Sequence, residues 1–204
     1  NAGKISTCNS IVTVVDNLLP TIACPGNINV NTDPGICGAV VNYLTTVGLD
    51  NCSGPVTSQT TGLGAGSTFP IGTTTNTFLV TDGSGNTATC SFTVTVTDNE
   101  KPVIALPVPP IVNANAGCQA PIPAIAATIS DNCTPLGSLV ISQAPASGTM
   151  VGLGITTVTI TSTDLAGTTI SSKINVTVTD VTNTVIITPA DIQLNLDNTC
   201  QDLV

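Results

Sequence analysis

Ala88-Thr89-Cys90-Ser91-Phe92-Thr93-Val94-Thr95-Val96-Thr97-Asp98-Asn99-Glu100-Lys101-Pro102 decides how the rest of the chain is read. Phe92, Val94 and Val96 alternate with Thr93, Thr95 and Thr97. Side chains leave a strand on opposite faces with a period of two, so this run predicts a half-buried β-strand. Asp-Asn-Glu-Lys-Pro then stops the ladder, because proline has no N–H to donate. The same grammar recurs upstream in Cys8-Asn9-Ser10-Ile11-Val12-Thr13-Val14-Val15-Asp16-Asn17. It recurs again downstream in Ser172-Lys173-Ile174-Asn175-Val176-Thr177-Val178-Thr179-Asp180. Asp16, Asp98 and Asp180 thus stand at equal intervals of about 82 residues. That spacing marks a tandem repeat, and this strand closes each unit.

Working outward, the repeat divides the chain into four parts. Residues 1–19 read as the C-terminal strand of a preceding module, 20–100 as a first whole module, 101–182 as a second, and 183–204 as the N-terminal part of a following one. Inside the first module, Asp33-Pro34-Gly35 is a turn and Ala39 to Tyr43 a short strand. Asp50-Asn51-Cys52-Ser53 is the next turn, Gly62 to Gly66 a loop between strands, and Asp82-Gly83-Ser84-Gly85-Asn86 a hairpin connection into the closing strand. Asn, Asp and Gly suit such places through local hydrogen bonds and free φ. The second module answers with Asp131-Asn132-Cys133-Thr134 and Asp164-Leu165-Ala166-Gly167. Short strands, frequent turn signals and no helical period predict an all-β chain of tandem immunoglobulin-like β-sandwich modules.

Composition removes several functions. Charged residues make up 7% of the chain, with 3 Lys+Arg and a net charge of −9. A nucleic-acid partner needs clustered basic residues and is excluded on that ground. No apolar run approaches the ~18 residues of a membrane span, so no membrane insertion is expected. Eight cysteines without a histidine point to disulfides in an oxidising compartment, hence a secreted, extracellular or cell-surface protein. Zinc is the rival reading, but no Cys-x-x-Cys pair occurs.

The series Cys24-Pro25, Cys37-Gly38-Ala39-Val40-Val41-Asn42-Tyr43, Asp50-Asn51-Cys52-Ser53, Phe69-Pro70-Ile71-Gly72-Thr73-Thr74, Thr81-Asp82, Gly85-Asn86 and Cys90-Ser91-Phe92-Thr93-Val94-Thr95-Val96 resembles the hyalin repeat, or HYR domain. The second module departs from it at Leu106, Val151 and Ser172, which stand where the first has Cys24, Phe69 and Cys90. The resemblance implies immunoglobulin-type sandwiches used in adhesion, and in bacteria tandem arrays within very large surface or secreted adhesins. It brings no catalytic residue.

The two modules also suggest a cysteine connectivity. The second lacks the equivalents of Cys24 and Cys90 together and keeps Cys118 and Cys133. Bonded partners tend to be lost in pairs, since a leftover thiol is reactive in an oxidising medium. The expected bonds are therefore Cys24–Cys90, Cys37–Cys52 and Cys118–Cys133, with Cys8 and Cys200 pairing outside the sequence given.

Catalysis finds little support, because no histidine is present to act as a base and the acids fall at turns. Calcium is the one cofactor the sequence offers. Asp98, Asn99 and Glu100 place hard oxygen ligands where neighbouring modules meet, with Asp16-Asn17 and Asp180-Val181-Thr182-Asn183 as weaker versions. The competing reading of each is a solvated turn. Asn51, Asn132 and Asn175 stand in Asn-x-Ser/Thr sequons, which an Asn- and Thr-rich chain produces by composition.

These readings converge on a structural or adhesive stalk segment of a long extracellular repeat protein. Its partners are neighbouring modules of the same chain and, through lateral packing into a fibre, further copies of itself. The last expectation comes from a mean hydropathy of +0.43 with hardly any lysine to guard sheet edges. Direct glycan or protein binding, and a passive spacer on a secreted enzyme, are the alternatives.

Overall fold

The computed structural model describes residues 3–182 apart from Ser53. The alternating runs that end at Asp98 and Asp180 fold as their pattern requires. Gly72–Thr81 (β5) and Thr87–Thr97 (β6) form an antiparallel hairpin in register from Gly72 opposite Val96 to Thr81 opposite Thr87. Its turn is Asp82–Asn86, where Gly85 takes a φ of 91° that a side chain would strain. Ile28–Asn31 (β1) runs parallel to β6, and Val56–Thr61 (β3) borders β5, giving a four-stranded sheet ordered β1-β6-β5-β3. Gly38–Val41 (β2) and Ser67–Pro70 (β4) pair across from it, and Thr21 bridges Leu49 beyond them.

The second sandwich repeats this order. Val103–Ala105 (β7) pairs with Thr128–Ser130 (β10), and Gln119–Pro121 (β9) with Met150–Gly152 (β12). Its main sheet runs Val140–Ala144 (β11), Gly154–Thr163 (β13), Thr169–Thr179 (β14) and Ile111–Asn113 (β8), the last pair parallel. β5 and β13 bury the same positions in the same order. A single 3-10 turn, Leu136–Ser138, is the only helical element among the described residues. The fold is all-β, in immunoglobulin-like sandwiches.

Each sandwich has its own core. Ala39, Val41, Phe69, Phe78, Phe92, Val94 and Val96 fill the first. Tyr43 packs edge-on against Phe92 at 5.0 Å between ring centroids, and Phe78 stacks on Phe92 at 6.4 Å. The second core is aliphatic, from Ile122, Ile129, Leu139, Val158, Ile160, Ile174 and Val176. Asn76 is fully buried where the second sandwich has Val158. Its Oδ1 accepts the Leu63 N–H at 2.7 Å, and the Tyr43 hydroxyl donates to the Leu63 carbonyl at 2.6 Å. The glycine-rich loop is thus tied to the core.

Residues 3–19, expected to be the closing strand of a preceding module, pair with no strand among the described residues, and Ile11 and Val14 are each 92% exposed. The reason lies in the position of a closing strand. β6 sits between β1 and β5, and β14 between β8 and β13, so a closing strand pairs with a neighbour on each side. None of the described strands supplies those neighbours for residues 3–19. Residues 183–204, read as part of a further module, lie outside the described residues.

Candidate functional site: the junction between sandwiches

The two sandwiches meet end to end. β5 begins and β6 ends at the base of the first sandwich, and the Asp164–Thr168 turn, the tip of the β13–β14 hairpin, comes up against that base. Thr168 Oγ1 donates to the Glu100 carbonyl at 2.6 Å. Both Glu100 carboxylate oxygens accept the Gly35 N–H at 3.0 Å. Asn132 Nδ2 donates to the Ile36 carbonyl at 3.1 Å. Pro102, fully buried, turns the chain from one sandwich into the other. At the upstream end of the first sandwich the contact recurs, with Asn86 Nδ2 donating to the carbonyls of Asp16 and Leu18 at 3.2 and 3.1 Å. Asn86 thus holds the segment before the first sandwich much as Thr168 holds Glu100 before the second.

A disulfide crosses this joint. Cys37, in the turn after β1, is bonded to Cys133, and their Cα atoms lie 4.7 Å apart. The expected Cys37–Cys52 and Cys118–Cys133 bonds are therefore corrected: Cys52 and Cys118 are exposed and free. The physical reason is that the two ends of a sandwich face different neighbours. The Cys37 position lies at the base and the Cys133 position at the tip, so one module's pair cannot meet, whereas base and tip of successive modules do. Cys24 and Cys90 are joined within the first sandwich, Cα–Cα 5.6 Å, linking the opening stretch to β6. Cys8 is exposed and free, and Cys200 lies outside the described residues.

The acids of the joint are arranged differently from the sequence expectation. Of the run Asp98, Asn99 and Glu100, Asn99 is exposed and Glu100 is occupied by the Gly35 N–H. Asp98, 7% exposed, instead faces Asp131 and Asp164 of the second sandwich, with an oxygen from each of the three within 4.8 Å of the others. Burial pushes the Asp98 carboxyl up, reinforced by the charges of Asp131 and Asp164 and opposed by the Glu100 N–H and Thr32 hydroxyl. Asp131 and Asp164 were missed as site residues because each reads locally as a turn acid. The available signal was their recurrence: Asp16, Asp50 and Asp82 repeat as Asp98, Asp131 and Asp164 in a chain with only 12 acidic residues.

The HYR domain family model matches residues 15–96. That stretch, the first sandwich with its upstream joint, belongs to the HYR domain family. The chain is 32% identical to Hyalin of Strongylocentrotus purpuratus over 176 residues, covering 84% of this chain and 14% of that protein. It is 29% identical to Hyalin of Lytechinus variegatus over 191 residues, covering 90% of this chain and 36% of that protein. A Serine-rich adhesin for platelets of Staphylococcus aureus (strain MRSA252) is 29% identical over 165 residues, covering 69% of this chain and 12% of that protein. The chain thus spans a minor part of the length of these relatives. Among solved structures, the Protocadherin GammaB4 extracellular domain aligns with a TM-score of 0.41 at 15% identity, over 83% of this chain and 34% of that one. No helix among the described residues is long and apolar enough to cross a membrane.

Proposed function

We propose that this chain is a load-bearing stalk segment of an extracellular adhesion protein, holding successive sandwiches at fixed spacing and angle. The observation that carries this reading is the Cys37–Cys133 bond, which ties the base of one sandwich to the tip of the next. Beside it, the Asn132–Ile36 and Thr168–Glu100 hydrogen bonds cross the same joint. Relatives named as hyalins and as an adhesin support an adhesive, extracellular setting rather than an enzymatic one. Small-angle scattering on the oxidised chain tests the reading. A rod two sandwiches long that becomes flexible on reduction supports it, and a hinge equally loose before and after reduction overturns it.

Lateral packing of copies into a fibre is part of the same proposal. β3 and β11 are the equivalent edges of the two main sheets, and neither contains a lysine. Val56 on β3 and Val140 on β11 are 68% and 67% exposed, so an exposed valine recurs at the start of each edge strand. Sedimentation at rising concentration tests it: association that Val56→Lys and Val140→Lys abolish supports lateral packing, and a monomer throughout overturns it.

A further inference from the structure

We propose that Asp98, Asp131 and Asp164 form a binding site for a hard divalent cation, calcium, at the joint between the sandwiches. Three carboxylates contribute oxygens within 4.8 Å of one another. Two of the three carboxylates have one oxygen held by the protein and the other buried without a partner. Asp98 Oδ1 accepts the Glu100 N–H at 3.2 Å and the Thr32 hydroxyl at 3.5 Å, yet Oδ2 is buried without a donor. Asp131 Oδ1 accepts the N–H groups of Cys133 and Thr134 at 3.0 and 2.6 Å, and its Oδ2 is likewise buried without a donor. Asp164 Oδ1 accepts the Thr168 N–H at 2.8 Å. One oxygen of each carboxylate in the first two cases is fixed by the protein, which leaves the other for something positive. A buried anion without a counter-charge is costly, and three together more so.

The upstream joint shows the same feature independently. Asp16, Asp50 and Cys52 gather within the same distance, and Asp16 Oδ2 and Asp50 Oδ1 are again buried without donors. Orphaned oxygens at corresponding acids of two successive joints mark a repeated device.

The donor set selects the occupant. Carboxylate oxygens without imidazole or thiolate suit calcium or magnesium, since Cys133 is committed to its disulfide. Calcium takes six to eight oxygens in irregular geometry, which three carboxylates completed by water can meet; magnesium demands a stricter octahedron. Asp98 follows β6 of the first sandwich, whereas Asp131 and Asp164 belong to turns of the second, so the ion couples the two bodies. The site rests on carboxylate geometry and stands whether or not the chain bears load.

Calorimetric titration of the whole oxidised chain with calcium chloride, after treatment with chelator, tests the site. Saturable binding is expected with Kd on the order of 10⁻⁵ to 10⁻³ M, at least tenfold weaker with magnesium. Asp131→Asn should weaken this site at least tenfold, while Glu100→Gln, outside the triad, should change it less than about threefold. Because Asp131→Asn is isosteric and removes a repulsion, its melting temperature in chelator should equal or exceed that of the parent. Absence of saturable calcium binding, or equal effects of Asp131→Asn and Glu100→Gln in folded protein, overturns the proposal.

Discussion

The Cα atoms of Cys37 and Cys133 stand 4.7 Å apart although 96 residues separate them in the chain, and their bond joins two sandwiches. Non-reducing peptide mapping should recover Cys24–Cys90 and Cys37–Cys133, and fragments carrying Cys37–Cys52 or Cys118–Cys133 would count against the joint described here. Lysine is scarce, so the digest needs a protease other than trypsin. In a concatemer of residues 20–182, Cys118 of one copy occupies the base and Cys52 of the next the tip. Those two should then pair, and persistence of both as free thiols in an oxidised concatemer would sink the idea of a repeated staple.

Cys24–Cys90 acts inside one sandwich, over a sequence separation of 66 residues. Closing a loop of that size restricts the unfolded chain by about 4 kcal/mol in the chain-entropy model. A Cys24→Ser, Cys90→Ser double variant should therefore lower the melting transition of the first sandwich. The second, which carries Leu106 and Ser172 at those positions, should melt unchanged. Calorimetry resolves the two transitions, and an equal shift in both would contradict separate cores.

The β5–β6 hairpin is readable in the sequence because alternation and turn chemistry are local. Phe92, Val94 and Val96 turn inward on β6 as their spacing requires, and the Asp82–Asn86 turn falls where Gly and Asn permit it. The joint was not readable in the same way. Asp131 sits beside Asp98 only after the chain has passed Pro102 and formed β7 to β10, so no window of sequence contains both. Cys24–Cys90 lies within one sandwich, where joint loss of its equivalents in the second points to it, whereas Cys37 bonds to a cysteine of the next sandwich that comparison of modules taken singly does not reveal. Glu100 looked like a cation ligand by adjacency to Asp98, yet the turn at Gly35 presents a bare N–H that takes its carboxylate.

Asn76 offers a test of how the first core differs from the second. Its Oδ1 accepts from Leu63 N and, at 3.2 Å, from Gln59 Nε2. Val158 replaces it in the second sandwich without harm, so Asn76→Val imitates a substitution that the repeat already contains. In the first sandwich it would leave the Leu63 N–H without its acceptor, at a cost of about 1–3 kcal/mol. Denaturant unfolding should show that loss, with faster amide exchange at Leu63. A neutral result would mean that the Tyr43 and Gln59 contacts to the Leu63 carbonyl suffice to hold the loop.

The joint should also respond to pH, with a sign opposite to the usual one for a protein carboxylate. The Asp98 carboxyl is raised from its ordinary value of 3.8, first by burial and then by Asp131 and Asp164 facing it from the second sandwich. Glu100 and Lys101 line the neighbouring cleft with Asp131. Between 3.8 and its native value, Asp98 is protonated more in the folded than in the unfolded chain. Stability from this group is therefore greatest at low pH and falls as pH rises through that window. Asp82 and Asp180 act the other way. Burial works against the Asp82 charge, but the Asn86 side chain and the N–H groups of Asn86, Ser84 and Gly85 outweigh it and hold the carboxyl down; the Thr182 hydroxyl and N–H do the same for Asp180. Their contributions are present above 3.8 and are lost as pH falls through their native values. Subtracting the melting curve of Asp98→Asn from that of the parent, in chelator, isolates the one group. The variant should gain on the parent as pH rises through the carboxylate range and then hold a constant advantage. Added calcium should reverse that advantage, because the ion compensates the charge only where Asp98 can ionise. Parallel curves for parent and variant at every pH would show that the Asp98 carboxylate sits in the joint at no electrostatic cost.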